Sequence, residues 1–95
     1  MTFMRNFIRE ETNVTCALVI NNVVCKATML NFSRMGAMIK TDCMLSKKNY
    51  VSLIYPNEKN EMIMMLTYVV HTFKKGQKYL IGLQFIGIED RRSIN

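Results

Sequence analysis

The chain has 95 residues, enough for one domain with a modest core. Thirteen lysines and arginines against seven acidic residues give a formal net charge of +6, which favours anionic partners such as phosphate ligands, nucleic acid or an acidic membrane face. Apolar residues make up 49% of the chain, but no stretch has the roughly 20 consecutive apolar residues of a membrane span. Disorder and membrane insertion are therefore excluded. No signal-peptide pattern is visible, so we expect a cytoplasmic protein.

The first 13 residues are polar and charged and show no periodicity. They predict a flexible N-terminal arm ahead of a single domain over residues 14–95. The arm carries Arg5 and Arg9, four residues apart. Two guanidinium groups at this spacing can converge on one anion, because each is a planar fork that matches phosphate oxygens and can stack on a purine. The alternative is a solvated basic arm.

From Val14 onward, the pattern predicts six short strands separated by turns. The predicted strands cover residues 14–20, 23–30, 37–41, 50–55, 61–73 and 78–88. Asn21 and Asn22 suit a two-residue hairpin turn, because asparagine tolerates the left-handed conformation. Residues 63–70 could form a buried helix, but their Thr, Tyr and paired valines favour a strand. Residues 89–95 are expected to begin a short C-terminal helix. Six short strands with turns at these intervals are typical of an antiparallel barrel or sandwich.

A turn between the second and third predicted strands carries the pattern Asn31-x-Ser33-x-x-Gly36. The amide and the hydroxyl can hydrogen-bond to the edge of a nucleotide base. Gly36 either lets a ligand approach the backbone or adopts a conformation closed to other residues. Arg34, inside the motif, either contacts a phosphate or base or points to solvent. The alternative for the whole segment is an ordinary β-turn.

Catalytic and metal-binding patterns are missing from the sequence. His71, the one histidine, lies within a predicted strand, where a structural role is the usual one. No carboxylate pair or glycine-rich loop is suitably placed. Cys16, Cys25 and Cys43 fit no metal-ligand spacing, so we expect them to be buried and reduced. The sequence favours a protein that is not an enzyme and that has neither cofactor nor metal.

The two motifs, in this order, resemble those of the PilZ domain family, which has RxxxR in an N-terminal arm and [D/N]xSxxG on the barrel. Residues 81–85 are similar to the GxxF of the family's late strand. The resemblance implies an all-β, six-stranded antiparallel barrel that binds the bacterial second messenger cyclic di-GMP. It implies that Arg5 and Arg9 hold phosphates and stack on guanine, that Asn31 and Ser33 contact a guanine, and that Gly36 keeps the turn open to the ligand.

The resemblance further implies a receptor that signals to a partner protein; we expect a monomer. Met4 precedes the RxxxR motif where many members have another arginine, which implies one bound ligand rather than a stacked pair. One alternative is a PilZ-like interaction module without a nucleotide, although such members usually lack both motifs. Another is a barrel that binds nucleic acid. The spread of the aromatic residues disfavours it, because Tyr68 and Phe85 fall at core-like positions.

Overall fold

Six strands closed into an antiparallel barrel make up the fold. The structure is a computed structural model that describes residues 10–93, with side chains from residue 13 onward. The strands pair in the order β1-β2-β3-β6-β5-β4. The predicted six-stranded barrel is therefore confirmed, and the sandwich is not formed. The strands are β1 (Glu10–Ile20), β2 (Val23–Phe32), β3 (Gly36–Thr41), β4 (Tyr50–Pro56), β5 (Glu61–Lys75) and β6 (Lys78–Ser93).

Alternating burial along β5 explains why this apolar segment is a strand. Ile63, Met65, Thr67 and Val69 are buried, and the residues between them are partly exposed. Side chains of a strand point to opposite faces in turn, so this period of two lines the barrel interior with one half of the segment. The predicted choice of strand over helix is confirmed. The buried Thr67 hydroxyl donates to the Val51 carbonyl at 2.8 Å, which satisfies its hydrogen-bonding group inside the core.

The core fills the barrel with aliphatic side chains from different strands. Leu18, Ile39, Leu53 and Ile81 are fully buried. Leu45, from the loop between β3 and β4, is buried in the same cluster. The Thr72 hydroxyl donates to the Leu45 carbonyl at 2.7 Å and holds this loop against β5.

The first and last strands are longer than the sequence predicted. β1 begins at Glu10 rather than at residue 14, and a bulge between Glu11 and Val14 interrupts its pairing with β2. β6 continues to Ser93, which pairs with Glu61 of β5. The predicted C-terminal helix is therefore wrong for residues 89–93, because their backbone groups pair with β5. Residues 94–95 lie outside the described part of the chain.

The antiparallel order gives the barrel two distinct ends. At the motif end lie the start of β1, the β2–β3 turn, the β4–β5 loop and the end of β6. At the hairpin end lie the β1–β2 turn, the β3–β4 loop and the β5–β6 turn. Asn21 and Asn22 have φ values of 50° and 68°, so the predicted asparagine hairpin turn is confirmed.

A disulfide joins two elements at the hairpin end. Cys25 of β2 and Cys43 of the β3–β4 loop are bonded, with Cα atoms 6.5 Å apart. The expectation of three reduced, buried cysteines is therefore wrong for these two. The pairing of Ala27 with Thr41 brings Cys25 and Cys43 close together, although these two cysteines are 18 residues apart in sequence. This proximity depends on strand register, which cysteine spacing alone does not show.

Cys16 is the free cysteine of the described chain and is buried. Burial raises the pKa of its thiol from 9.0 to about 11. Because the thiolate is the nucleophile, we expect the native protein at pH 8 to resist alkylation, and the same protein in denaturant to react. Mass spectrometry of iodoacetamide-treated samples measures this difference. Equal labelling in both states would contradict a buried thiol.

The raised pKa also has a consequence for stability. The unfolded chain ionises Cys16 at a lower pH than the native protein does. The stability that the folded protein gains by burying Cys16 as a neutral thiol is therefore fully present below pH 9.0 and is lost as the pH rises towards 11.

Candidate ligand-binding site

The turn between β2 and β3 is closed by Ser33. Its backbone N–H donates to the Gly36 carbonyl at 2.8 Å. Its side-chain oxygen accepts a hydrogen bond from the Met35 N–H at 3.2 Å. The hydroxyl hydrogen is not used in either contact, so Ser33 retains a donor. The Phe85 N–H donates to the Met35 carbonyl at 2.8 Å, which fixes the turn to β6.

Gly36 is required by the packing of β3 against β6. A Cβ at this position would overlap the Leu83 carbonyl oxygen of the neighbouring strand. Gly36 does not have a positive φ; among the described glycines that conformation belongs to Gly76. One of the two predicted roles of Gly36, to adopt a backbone conformation closed to other residues, is therefore wrong. The close approach occurs between two strands, and a role towards ligand stays a prediction.

Asn31 presents an unused acceptor beside the turn. It lies in β2 between Glu11 of β1 and Met38 of β3, next to a break in the β2–β3 register. Its Oδ1 is buried and has no hydrogen-bond partner within the described structure. Burying a polar atom without a partner costs free energy, so such atoms in native proteins call for an explanation. A donor supplied by a ligand would satisfy this oxygen.

A groove of about 360 Å³ runs along the outer face of β3, β6 and β5 beside the turn. Ser33 and Gly36 line it, together with His71, Gly82 and Gln84. His71 lies opposite Gly82 in the β5–β6 pairing, and a Cβ on Gly82 would overlap the imidazole ring. The ring also contacts Phe73, with centroids 5.1 Å apart. His71 Nε2 is a second buried polar atom without a partner in the described chain.

A second cavity, of about 660 Å³, opens at the same end of the barrel. Its wall includes Tyr55, whose ring stacks on Phe85 with centroids 6.1 Å apart. Burial raises the pKa of the Tyr55 hydroxyl, and the nearby Arg91 guanidinium acts in the opposite direction. Its charged lining residues balance in sign, so the cavity has no preference for an anion. They are Glu58, Lys59, Glu61 and Arg91.

The predicted site residues divide into two groups. Asn31, Ser33, Arg34 and Gly36 lie together at the motif end, with Arg34 exposed on the turn. Arg5 and Arg9 lie outside the described residues. His71, Gly82 and Gln84 were not predicted as site residues. Their sequence signal is weak, because β5–β6 pairing brings them to the groove from distant positions.

Residues 10–93 contain neither a metal-binding cluster nor a membrane-spanning helix. No group of three or more His, Cys, Asp or Glu residues there could hold a metal ion. No helix in that range is long and apolar enough to cross a membrane.

Comparison with known proteins places the barrel in a family. No curated protein matches the chain. The family model for the PilZ domain matches residues 4–95, which is almost the whole sequence. PilZ domains are ligand-binding adaptor domains rather than enzymes, and the family is in general one of cyclic di-GMP receptors. Since the match covers the barrel and its motif turn, this chain belongs to the PilZ domain family.

Proposed function

We propose that this chain is a single-domain receptor that binds cyclic di-GMP at the motif end of the barrel and signals to a partner protein. The observation that carries the proposal is the buried, unpartnered Oδ1 of Asn31 beside the β2–β3 turn. Guanine offers N–H donors along its base-pairing edge. Such a donor is the hydrogen-bond partner that the Asn31 Oδ1 atom lacks.

The turn supplies a complementary group. The Ser33 oxygen already accepts from Met35, so its hydroxyl hydrogen can donate to a base or phosphate oxygen. Asn31 as acceptor and Ser33 as donor would thus contact one ligand from neighbouring positions. The groove beside Ser33 and Gly36 offers an open surface for the rest of the molecule.

The two arginines of the arm would neutralise the phosphates. Arg9 directly precedes Glu10, where β1 begins opposite Phe32 in the pairing with β2. The arm is therefore attached next to the motif turn. Charge-assisted hydrogen bonds contribute about 1.5–3 kcal/mol each, which can offset the entropy of ordering a short segment on the ligand. A partner protein could then sense the ordered arm.

Calorimetric titration with cyclic di-GMP, with GTP as the nucleotide control, tests this proposal. We expect saturable binding of one ligand per chain. Arg9→Ala should weaken binding by about 2 kcal/mol, or roughly 30-fold in Kd, because it removes a charge-assisted contact. Asn31→Ala should weaken it by about tenfold, because a guanine donor loses its acceptor.

Lys75→Ala is the matched control, since it removes one positive charge at the hairpin end. It should leave Kd within about twofold, because exposed charges at that distance are screened. If cyclic di-GMP gives no heat of binding and leaves the melting temperature unchanged, the proposal is contradicted, since a ligand specific for the native state must stabilise that state. The barrel would then be a PilZ interaction module without a nucleotide.

A further inference from the structure

Positive charge is concentrated in the hairpin-end half of the barrel. Seven of the eight lysines belong to this half, and all seven are exposed. Among its described residues, Asp42 is the sole carboxylate. Among the side chains that the structure describes, those of residues 13–93, the motif-end half has four cations and four carboxylates, so these charges balance. The seven lysines are Lys26, Lys40, Lys47, Lys48, Lys74, Lys75 and Lys78.

Large aliphatic side chains stand at the tips of the same end. Val24 of the β1–β2 hairpin and Met44 of the β3–β4 loop are each 66% exposed, and Val23 is 58% exposed. Exposed apolar groups that lie among predominantly positive charges are typical of an interaction surface.

Covalent and ionic links hold these tips in one surface. The Cys25–Cys43 disulfide connects the neighbours of Val24 and Met44 in sequence. Lys78 Nζ lies 2.7 Å from Asp42 Oδ1, which joins the β5–β6 hairpin to the β3–β4 loop. The β1–β2 hairpin and the β5–β6 hairpin are therefore each linked to the β3–β4 loop. Little conformational entropy is lost when they dock as a unit.

We propose that the hairpin end docks peripherally onto an anionic lipid bilayer. Val23, Val24 and Met44 enter the headgroup region, and the lysines lie over the anionic headgroups. Peripheral docking needs no spanning segment, so it is compatible with the sequence. The motif end then faces away from the bilayer, and the proposal does not depend on cyclic di-GMP binding.

The composition of this surface favours lipid over the two other anionic partners. Lysine is depleted at protein–protein interfaces, and arginine, which is enriched there, is missing from the described residues of this half. Single-stranded nucleic acid needs free aromatic faces. The exposed rings of this half, Tyr50 and Phe73, lie on strands and already contact Tyr68 and His71. Lysines around aliphatic tips suit a lipid surface, which attracts them without directional contacts.

Vesicle co-sedimentation of the full chain tests the proposal. We expect binding to phosphatidylcholine vesicles that contain phosphatidylglycerol, weak binding to phosphatidylcholine alone, and release by salt. Each lysine near an anionic surface raises the partition coefficient for membrane binding roughly fivefold. The double variant Lys74→Glu with Lys75→Glu should therefore lower this coefficient by at least roughly 25-fold. Arg91→Glu with Arg92→Glu is the matched control, because it changes the net charge equally at the other end. This control should retain more than half of the vesicle binding.

A second pair of variants tests the apolar tips. Val24→Ser with Met44→Ser should weaken vesicle binding roughly tenfold while the melting temperature and retention on heparin stay unchanged, since both side chains are exposed. Equal loss of vesicle binding in both charge-reversal variants would overturn the proposal. So would binding to heparin or an acidic peptide without binding to anionic vesicles, which would point to a polyanion or a protein instead.

Discussion

Gly36→Ala should destabilise the barrel by about 3 kcal/mol, which lowers the melting temperature by roughly 15 °C for a domain of this size. A Cβ at this position would overlap the Leu83 carbonyl oxygen, and a backbone atom in a paired strand cannot move aside as a flexible side chain can. Relief of the overlap requires β3 and β6 to separate where the Phe85 N–H donates to the Met35 carbonyl. Thermal unfolding followed by circular dichroism measures the change.

Gly87→Ala is the matched control for this prediction. Gly87 lies in β6, and an added Cβ there meets nothing within 4 Å. Because glycine in a strand carries an entropic cost, this variant should be unchanged or up to about 0.5–1 kcal/mol more stable. Equal stability of the two variants would show that the approach of β3 to β6 does not require glycine.

The same comparison bears on ligand binding. A loss of cyclic di-GMP affinity in Gly36→Ala follows from disruption of the β2–β3 turn, whether or not the glycine touches the ligand. The decisive variants for recognition are therefore Arg9→Ala and Asn31→Ala.

Removal of the Cys25–Cys43 disulfide should cost about 3 kcal/mol of unfolding free energy. The bond closes a loop over a sequence separation of 18 residues, and a cross-link of this length restricts the unfolded chain by about that amount. Urea denaturation with and without dithiothreitol measures the difference. We expect a lower midpoint in the reduced protein, since the folded barrel gains little freedom and the unfolded chain gains much.

Cys43→Ser provides the control for reduction. This variant should unfold at the midpoint of the reduced protein and should not respond further to dithiothreitol. If the reductant shifts the midpoint of Cys43→Ser by as much as that of the unchanged protein, the effect does not arise from this bond. Identical midpoints for the oxidised and reduced protein would contradict the predicted stabilisation.

The sequence alone determined the strands, the hairpin turn and the family. The Thr, Tyr and paired valines of β5 and the asparagines at the β1–β2 turn are local signals, because each acts through the backbone preference of its own segment. The RxxxR and NxSxxG motifs are also contiguous in sequence, so the resemblance to PilZ domains needed no coordinates.

Only the tertiary structure decided the features that depend on strand register. The disulfide follows from the pairing of Ala27 with Thr41, and the contact that requires Gly36 comes from β6. The predicted C-terminal helix failed for residues 89–93, because pairing with β5 outweighs the local preference of a charged segment. The clustering of lysines at one end likewise appears only when the barrel closes. In each case the cause is a contact between residues distant in the chain, which a local pattern does not encode.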